Sequence, residues 1–343
     1  MRPPEFWRAD AEGRDAALML RALLTPVSLA YAWAAANRFH STKPRHAPIP
    51  VICVGNLTVG GAGKTPVTRA LRAKLGPHAH TLSRGYGGRL AGPLRVTTDM
   101  NAEEVGDEPL LHAADGPAWI ARDRVAGALA AAQAGAHAVI MDDGFQNPAL
   151  AKDVSLIVVD PGFGIGNGHV FPAGPLRERL RDGLKRADAL VFLYNTPLPL
   201  EGGGAGVGVN SVGALARHPT PSPPPPLGKG DWPDWLTDFT NPILSARLAP
   251  LGEVPQGKLV AFAGLARPEK FFDTLDAIGA DVDEAVPFPD HHAFSEVDLD
   301  LLARLAEERG ASLITTEKDA ARLSPAWRQR VAVLPVTARF DDE

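Results

Sequence analysis

The sequence predicts an α/β protein with a parallel-sheet domain, a smaller second α/β domain and an apolar helix ahead of both. Three observations carry that prediction. From residue 50 onward, short and nearly continuous apolar runs alternate with amphipathic stretches, and strands that are apolar on both faces belong to parallel sheets covered by helices on each side. The alternation lapses in a Gly- and Pro-rich stretch over 196–257 and then resumes, which divides the chain into two such units. The first apolar run ends in a glycine-rich turn that leads into a helical pattern, the layout of a P-loop NTPase-like domain.

The 343 residues suit two domains, and an apolar share of 45% beside 22% charged residues supplies ample core. A net charge of −5 provides no basic footprint, so no nucleic-acid partner is expected. The single cysteine, Cys53, excludes an intramolecular disulfide and falls inside an apolar strand pattern, where it reads as a buried structural thiol.

Residues 1–45 form the first expected unit. Its apolar segment, 16–36, is interrupted by Arg21 and Pro26, leaving a run shorter than the ~20 clean apolar residues of a membrane span. Trp7, Tyr31 and Trp33 supply interfacial rings, and basic residues flank the segment. Ala32-Trp33-Ala34 resembles a cleavage site, but Glu5, Asp10, Glu12 and Asp15 spoil the n-region of a secretory signal. The segment therefore reads as a helix lying on a membrane surface; packing of the helix on its own protein is the alternative.

The second unit, 46–195, carries candidate strands at 50–55, 79–83, 138–142, 154–160 and 189–194 and helices at 65–75, 123–134 and 177–186. Residues 196–257, with Gly202-Gly203-Gly204 and the prolines between Pro219 and Pro226, are expected to be an irregular connector. The last unit, 258–343, shows strands at 259–263, near 282–287, at 312–316 and at 331–334, with helices at 268–278 and 296–309.

The chemistry begins at 51–66, VICVGNLTVGGAGKTP. Gly60, Gly61, Ala62 and Gly63 let backbone N–H groups turn toward an anion, and the helix N-terminus that follows adds partial positive charge. Lys64 can reach β- and γ-phosphates, and the Thr65 hydroxyl can ligate Mg²⁺. Thr58 stands where the first glycine of G-x-x-x-x-G-K-[ST] usually falls. A second apolar run ends at Asp142-Asp143, placing carboxylates at the carboxyl edge of the sheet beside the nucleotide, where one or both can hold Mg²⁺. A GTPase is disfavoured: Thr316-Glu317-Lys318-Asp319 has the letters of a base-reading segment in the wrong spacing, so ATP is the expected nucleotide. The remaining histidines, His112 among them, show no metal-ligand spacing.

Asn56–Pro66, Ser83–Gly87 (SRGYG), Gly106–Pro109 (GDEP), Asp142–Gln146 (DDGFQ) and Pro172–Glu178 (PAGPLRE) resemble, in order, blocks of the tetraacyldisaccharide 4′-kinases of lipid A synthesis. Phe262–Phe272, Phe288–His292 (FPDHH) and Thr316–Asp319 (TEKD) continue the resemblance to residue 320. It implies transfer of the γ-phosphate of MgATP to the 4′-hydroxyl of a tetraacylated glucosamine disaccharide 1-phosphate at the cytoplasmic face of the inner membrane. By resemblance, Asp107 is the base, assisted by His291, with His292 as a competing candidate. Arg177 is placed at the phosphates and Glu178 near the metal, Asn56 near the phosphates, and Arg84 and Tyr86 near the substrate. Asn147 and Arg179 depart from the residues common in the family at those positions, and the sequence assigns no role to Glu317-Lys318-Asp319. The alternative is a partner-binding P-loop ATPase switch, which shares GGAGKT but carries a lysine where Val59 stands here.

Overall fold

The three-dimensional structure, a computed structural model, describes residues 4–8, 15–195, 233–252 and 255–341. The apolar segment forms one continuous helix, α1 (Asp15–Ser41), with Pro26 inside it. Arg21 and Pro26 do not break it. The Arg21 Nε turns back to the Ala17 carbonyl and the Thr25 hydroxyl donates to the Arg21 carbonyl, so both find an acceptor within the helix. By length and composition α1 is long and apolar enough to cross a membrane, a difference from the interrupted run read in the sequence.

The first domain follows as β1 (Val51–Gly55), α2 (Lys64–Leu75), β2 (Ala79–Ser83), β3 (Leu94–Val96), α3 (Ala102–Val105), α4 (Asp107–Asp115), β4 (Ala118–Ile120), α5 (Arg124–Gln133), β5 (Ala138–Asp142), β6 (Val154–Val159), α6 (Leu180–Leu184) and β7 (Ala189–Tyr194). After it come β8 (Ile243–Pro250), β9 (Leu259–Ala263), α7 (Glu269–Ala277), β10 (Val282–Pro287), α8 (Glu296–Arg309), β11 (Ser312–Thr316), α9 (Glu317–Ala320), α10 (Pro325–Arg328), β12 (Ala332–Leu334) and β13 (Val336–Phe340).

Nine strands form one sheet in the order β13-β8-β7-β6-β1-β5-β2-β4-β3. It is parallel except for β3 against β4 and β13 against β8. Alternate residues of each strand enter opposite cores, as a strand period of two requires: Val51, Cys53, Met141, Leu190 and Phe192 pack on one face, and Val54, Ile140, Val158, Val191 and Leu193 on the other. With β5 on one side of β1 and β6 on the other, the carboxyl end of β1 lies where the winding reverses, the crevice in which open α/β sheets bind ligands.

The second sheet, β10-β9-β11-β12, is parallel throughout. Val260 and Phe262 face α8 with Leu299 and Leu302, while Leu259, Ala261 and Ala263 face α7 with Phe271 and Leu275. The α8 N-terminus is fixed by a capping box between Ser295 and Asp298.

Two segments lie elsewhere than the sequence reading places them. β8 belongs to the stretch read as connector, yet it pairs with β7 in the main sheet. β13, at the end of the second unit in sequence, returns to pair with β8. Neither carries a continuous apolar run, because Ser245 and Arg247 interrupt β8 and Thr337 and Arg339 interrupt β13; Pro250 is tolerated at a strand end. The helix read at 177–186 shrinks to α6, because residues 170–178 run as an irregular strap over the phosphate loop: Thr58 bridges Leu176 antiparallel and Val170 bridges Leu176.

Candidate active site

β1 delivers the phosphate loop and α2 starts from it. Gly63 precedes α2 with φ 82°, and a Cβ there would sit 2.3 Å from Leu193 Cδ2, so both conformation and space require glycine. Thr58 needs none: it makes an extended bridge to Leu176, and its carbonyl accepts from Asn56 Nδ2 (2.8 Å) and Arg177 Nε (3.0 Å). The buried Asn56 thus braces the loop, and its Oδ1 accepts from Lys64 Nζ (3.3 Å). Lys64 Nζ lies 3.7 Å from Asp143 Oδ1, and Arg177 Nη1 donates to the same oxygen (2.8 Å). Lys64, Arg177 and Asp143 therefore meet. Asp143 adopts a left-handed backbone, φ 52°, which turns its carboxylate back to these two cations. Burial pushes that carboxyl up, but the charges of Lys64 and Arg177 and the Arg177 hydrogen bond outweigh it and hold it at about 2.

Asp142, the last residue of β5, behaves differently. It is 1% exposed, and its Oδ2 meets Nε2 of the equally buried His112 at 2.7 Å. His112 was set aside in the sequence because a contact between α4 and β5 leaves no spacing signature. Glu178 turns to Arg186 and accepts from Gln146 Nε2 (3.1 Å). The expected metal set of Thr65, Asp142, Asp143 and Glu178 therefore does not converge as three carboxylates: among the described residues no group of three or more His, Cys, Asp or Glu could hold a metal. The physical reason is local neutralisation, since Asp143 and Glu178 each have a cationic partner. One donor remains: Asp142 Oδ1 is buried with no hydrogen-bond partner. A nucleotide-borne Mg²⁺, which takes most ligands from phosphates and water and only one or two carboxylates from the protein, fits such an acceptor.

The second half of the site comes from the second domain. His291 adopts φ 56° in the loop after β10 and its N–H bonds to the Gly264 carbonyl. Its Nδ1 reaches Asp107 Oδ2 at 3.5 Å. Asp107, buried at the start of α4, also accepts at Oδ1 from the Glu108 N–H (3.0 Å). Burial raises the Asp107 carboxyl, yet the His291 hydrogen bond and the Lys318 and Arg322 charges hold it well below the carboxylate range. His292 instead contacts Asp298 (3.1 Å) at the cap of α8 and packs on Phe288 and Phe294, which gives it a structural place. Tyr86 is 73% exposed with its ring centroid 6.2 Å from that of His291, and Arg84 is exposed beside it.

TEKD, which the sequence left without a role, joins the domains. Glu317 accepts from Arg69 of α2 (2.6 Å), Lys318 donates to Glu108 of α4 (2.5 Å), and Asp319 accepts from the Gly264 N–H (3.0 Å) and Arg322 (2.9 Å). Across the phosphate loop, Arg267 and Lys270 both donate to Asp160 at the end of β6, and Arg267 reaches the Gly61 carbonyl (3.3 Å).

A phosphate loop in the crevice of a parallel sheet, flanked by a strand-end acid pair and overhung by a second domain, defines a P-loop nucleotide enzyme built for group transfer. The family model for the tetraacyldisaccharide-1-P 4′-kinases (LpxK) matches residues 20–343, and the chain belongs to that family. It is 46% identical over 348 residues to the tetraacyldisaccharide 4′-kinase of Hyphomonas neptunium, covering 100% of this chain and 95% of the relative. It is 48% identical over 347 residues to that of Phenylobacterium zucineum, covering 99% and 95%. Among solved structures it resembles the "apo" form of LpxK from Aquifex aeolicus in complex with ATP, with TM-score 0.69, 28% identity, and coverage of 94% of this chain and 96% of that one. Kinase membership sets aside the ATPase-switch alternative.

Proposed function

We propose that this chain transfers the γ-phosphate of ATP to the 4′-hydroxyl of a tetraacylated glucosamine disaccharide 1-phosphate, at the cytoplasmic face of the bacterial inner membrane. The observation that carries the reading is the meeting of Asp107 with His291 across the domain crevice, beside the phosphate loop whose Lys64 charge also acts on Glu108, the neighbour of Asp107. In this reading the sugar hydroxyl attacks the γ-phosphorus, the bond from that phosphorus to the bridging oxygen breaks, and ADP leaves with the bond's electrons. Asp107 takes the hydroxyl proton, and the imidazole of His291 stabilises the carboxylate's orientation. Lys64 and Arg177, both already facing Asp143, are placed to exchange that carboxylate for phosphate oxygens. Asp142 and Thr65 would hold Mg²⁺, which neutralises developing charge when bound. Arg84 and Tyr86 are read as substrate contacts on the exposed rim.

Membrane docking rests on α1. Leu18, Met19, Leu20, Leu23, Val27, Leu29, Tyr31 and Trp33 are exposed on it, while Ser28 accepts from the Ala173 N–H (2.9 Å) and so fastens the helix to the domain. Its carboxyl end reaches the site, with Arg38 donating to the Gln146 carbonyl (3.1 Å). A helix placed this way brings an acyl-chain surface next to the catalytic loop.

The test is transfer of ³²P from ATP to a tetraacyldisaccharide 1-phosphate in mixed micelles. Lys64→Ala and Asp107→Ala proteins are expected to fold but to lose transfer by about 10²-fold or more. Near-normal transfer by both would sink the reading.

A further inference from the structure

The Asp107–His291 pair is not alone in its crevice. Arg322, in the turn after α9, inserts a side chain of which only a tenth is exposed between the two domains. Its Nη2 donates to Asp107 Oδ2 and lies 3.1 Å from His291 Nδ1. Its Nη1 donates to Asp319 Oδ1 (2.9 Å) and to the Gly264 carbonyl (3.3 Å). The second domain thus holds the fork from behind and presents its tip to the first.

We propose that Arg322, which orders His291 within the second domain, is a positioning residue for phosphoryl transfer that aims the ionised Asp107 carboxylate when the two domains are together. The inference rests on the reading of Asp107 as the base. The geometry leaves Arg322 little else to do. Asp107 Oδ1 is taken by its own helix N–H and Oδ2 by Arg322 and His291, so the carboxylate is clamped on both oxygens while lone pairs remain for a substrate hydroxyl. His291 Nδ1 is shared as well. Bare, it accepts from Arg322; protonated, it donates to Asp107. A guanidinium never gives up its proton, so Arg322 and a protonated Nδ1 compete as donors for Asp107 Oδ2, and only the protonated Nδ1 hydrogen-bonds the carboxylate. Arg322 therefore fixes where the imidazole stands relative to the base.

Other charges surround Asp107: Lys318 and Asp319 from α9, Glu108 from its own helix, and Lys64 acting on Glu108 from α2. Lys318 already neutralises Glu108, which leaves Arg322 as the cation in direct contact with the Asp107 carboxylate. Asp107 sits below the usual carboxylate range while burial pushes upward. Removing Arg322 takes away one of the opposing influences, so Asp107 must hold its proton to higher pH and the active ionised form must appear later on the pH axis.

The experiment compares pH profiles of kcat/KM for the lipid acceptor in wild type, Arg322→Met, Arg322→Lys and Asp107→Asn, with thermal unfolding recorded for each. Expected for Arg322→Met is a kcat lower by about tenfold to hundredfold, an unchanged KM for ATP, and an acid limb moved up by about one pH unit or more. Arg322→Lys, which restores charge but not the fork, recovers part of both the rate and the limb. An acid limb at the wild-type position in Arg322→Met overturns the proposal, and so does a lysine variant no better than methionine at equal folded fraction. If methionine is not tolerated by the fold, the limb of the lysine variant alone decides, and a wild-type limb with full rate there is equally fatal. Asp107→Asn separates the two readings. If it keeps wild-type transfer, the base assignment fails. If it is inactive while Arg322→Met has a wild-type profile, only the role of Arg322 fails.

Discussion

Asp143, read in the sequence as a metal ligand, faces two cations instead. With Lys64 and Arg177 on one of its oxygens, its carboxyl is held at about 2, against an unfolded value of about 4. The folded value is depressed, so its contribution to stability is present above about pH 4 and lost as pH falls toward 2. Arg177→Met removes one of the two cations and should lower stability near neutrality. The wild-type advantage should then shrink as pH drops from about 4 to about 2, because protonated Asp143 no longer distinguishes the two proteins. Urea midpoints of both proteins across that range measure it; an advantage constant with pH contradicts the pairing. The motif letters announced Lys64, Thr65 and the two acids, since their spacing is local. Their partners were not legible. Nothing in the chain around His112 points thirty residues on to Asp142, and Arg322 follows TEKD without a spacing that names Asp107.

Among the elements, α1 and α4 carry the most. α4 is nine residues long and presents Asp107 to the second domain, Glu108 to Lys318 and His112 to Asp142. Its start is fixed by Gly106, with φ 90° and a Tyr86 carbonyl where a Cβ would lie, at 2.3 Å, so the loop bearing Tyr86 and the helix bearing Asp107 are tied at one point. α1 exposes apolar residues along its length yet is anchored by Ser28 and by Ala17 and Ala32, which are buried. The Leu23→Asp, Trp33→Asp double variant should fold with an unfolding temperature near that of wild type, because both positions are exposed. Its binding to anionic phospholipid vesicles should fall at least about tenfold. Vesicle co-sedimentation checks this, and undiminished binding removes α1 from the membrane contact. The long β strands were readable from their apolar runs. The three-residue strands β3 and β4 were not, because so few residues show no period of their own; β12, equally short, was read only as the longer run 331–334.

For the whole molecule, the chain crosses between the sheets twice, once from β8 to β9 and again from β12 to β13. Two covalent crossings tie the second sheet to the first near the phosphate loop. Charge pairs fasten the crevice on both sides: Arg69–Glu317 toward α2, Lys318–Glu108 and Arg322–Asp107 toward α4, and Arg267 and Lys270 on Asp160 toward the phosphate loop. Asp160→Asn leaves two cations without their carboxylate. Amide exchange in residues 160–167 and 266–270 should quicken by about tenfold or more relative to wild type while the β5 and β7 cores keep their protection. Exchange equal to wild type in those segments would mean that Asp160 does not hold the domains together.

The sequence by itself determined the α/β class, the glycine-rich turn between β1 and α2 and the family, and it nominated Lys64, Thr65 and the acid pair at the end of β5. These signals are local: a strand period, a glycine turn and contiguous motif blocks. Only the tertiary structure decided that β8 and β13 complete the main sheet, that TEKD docks onto α2 and α4, and that Asp142 is held by His112 while Asp143 faces the cations. Those facts depend on which distant segments share a crevice, and long-range charge pairing of that kind leaves no periodic trace along a chain.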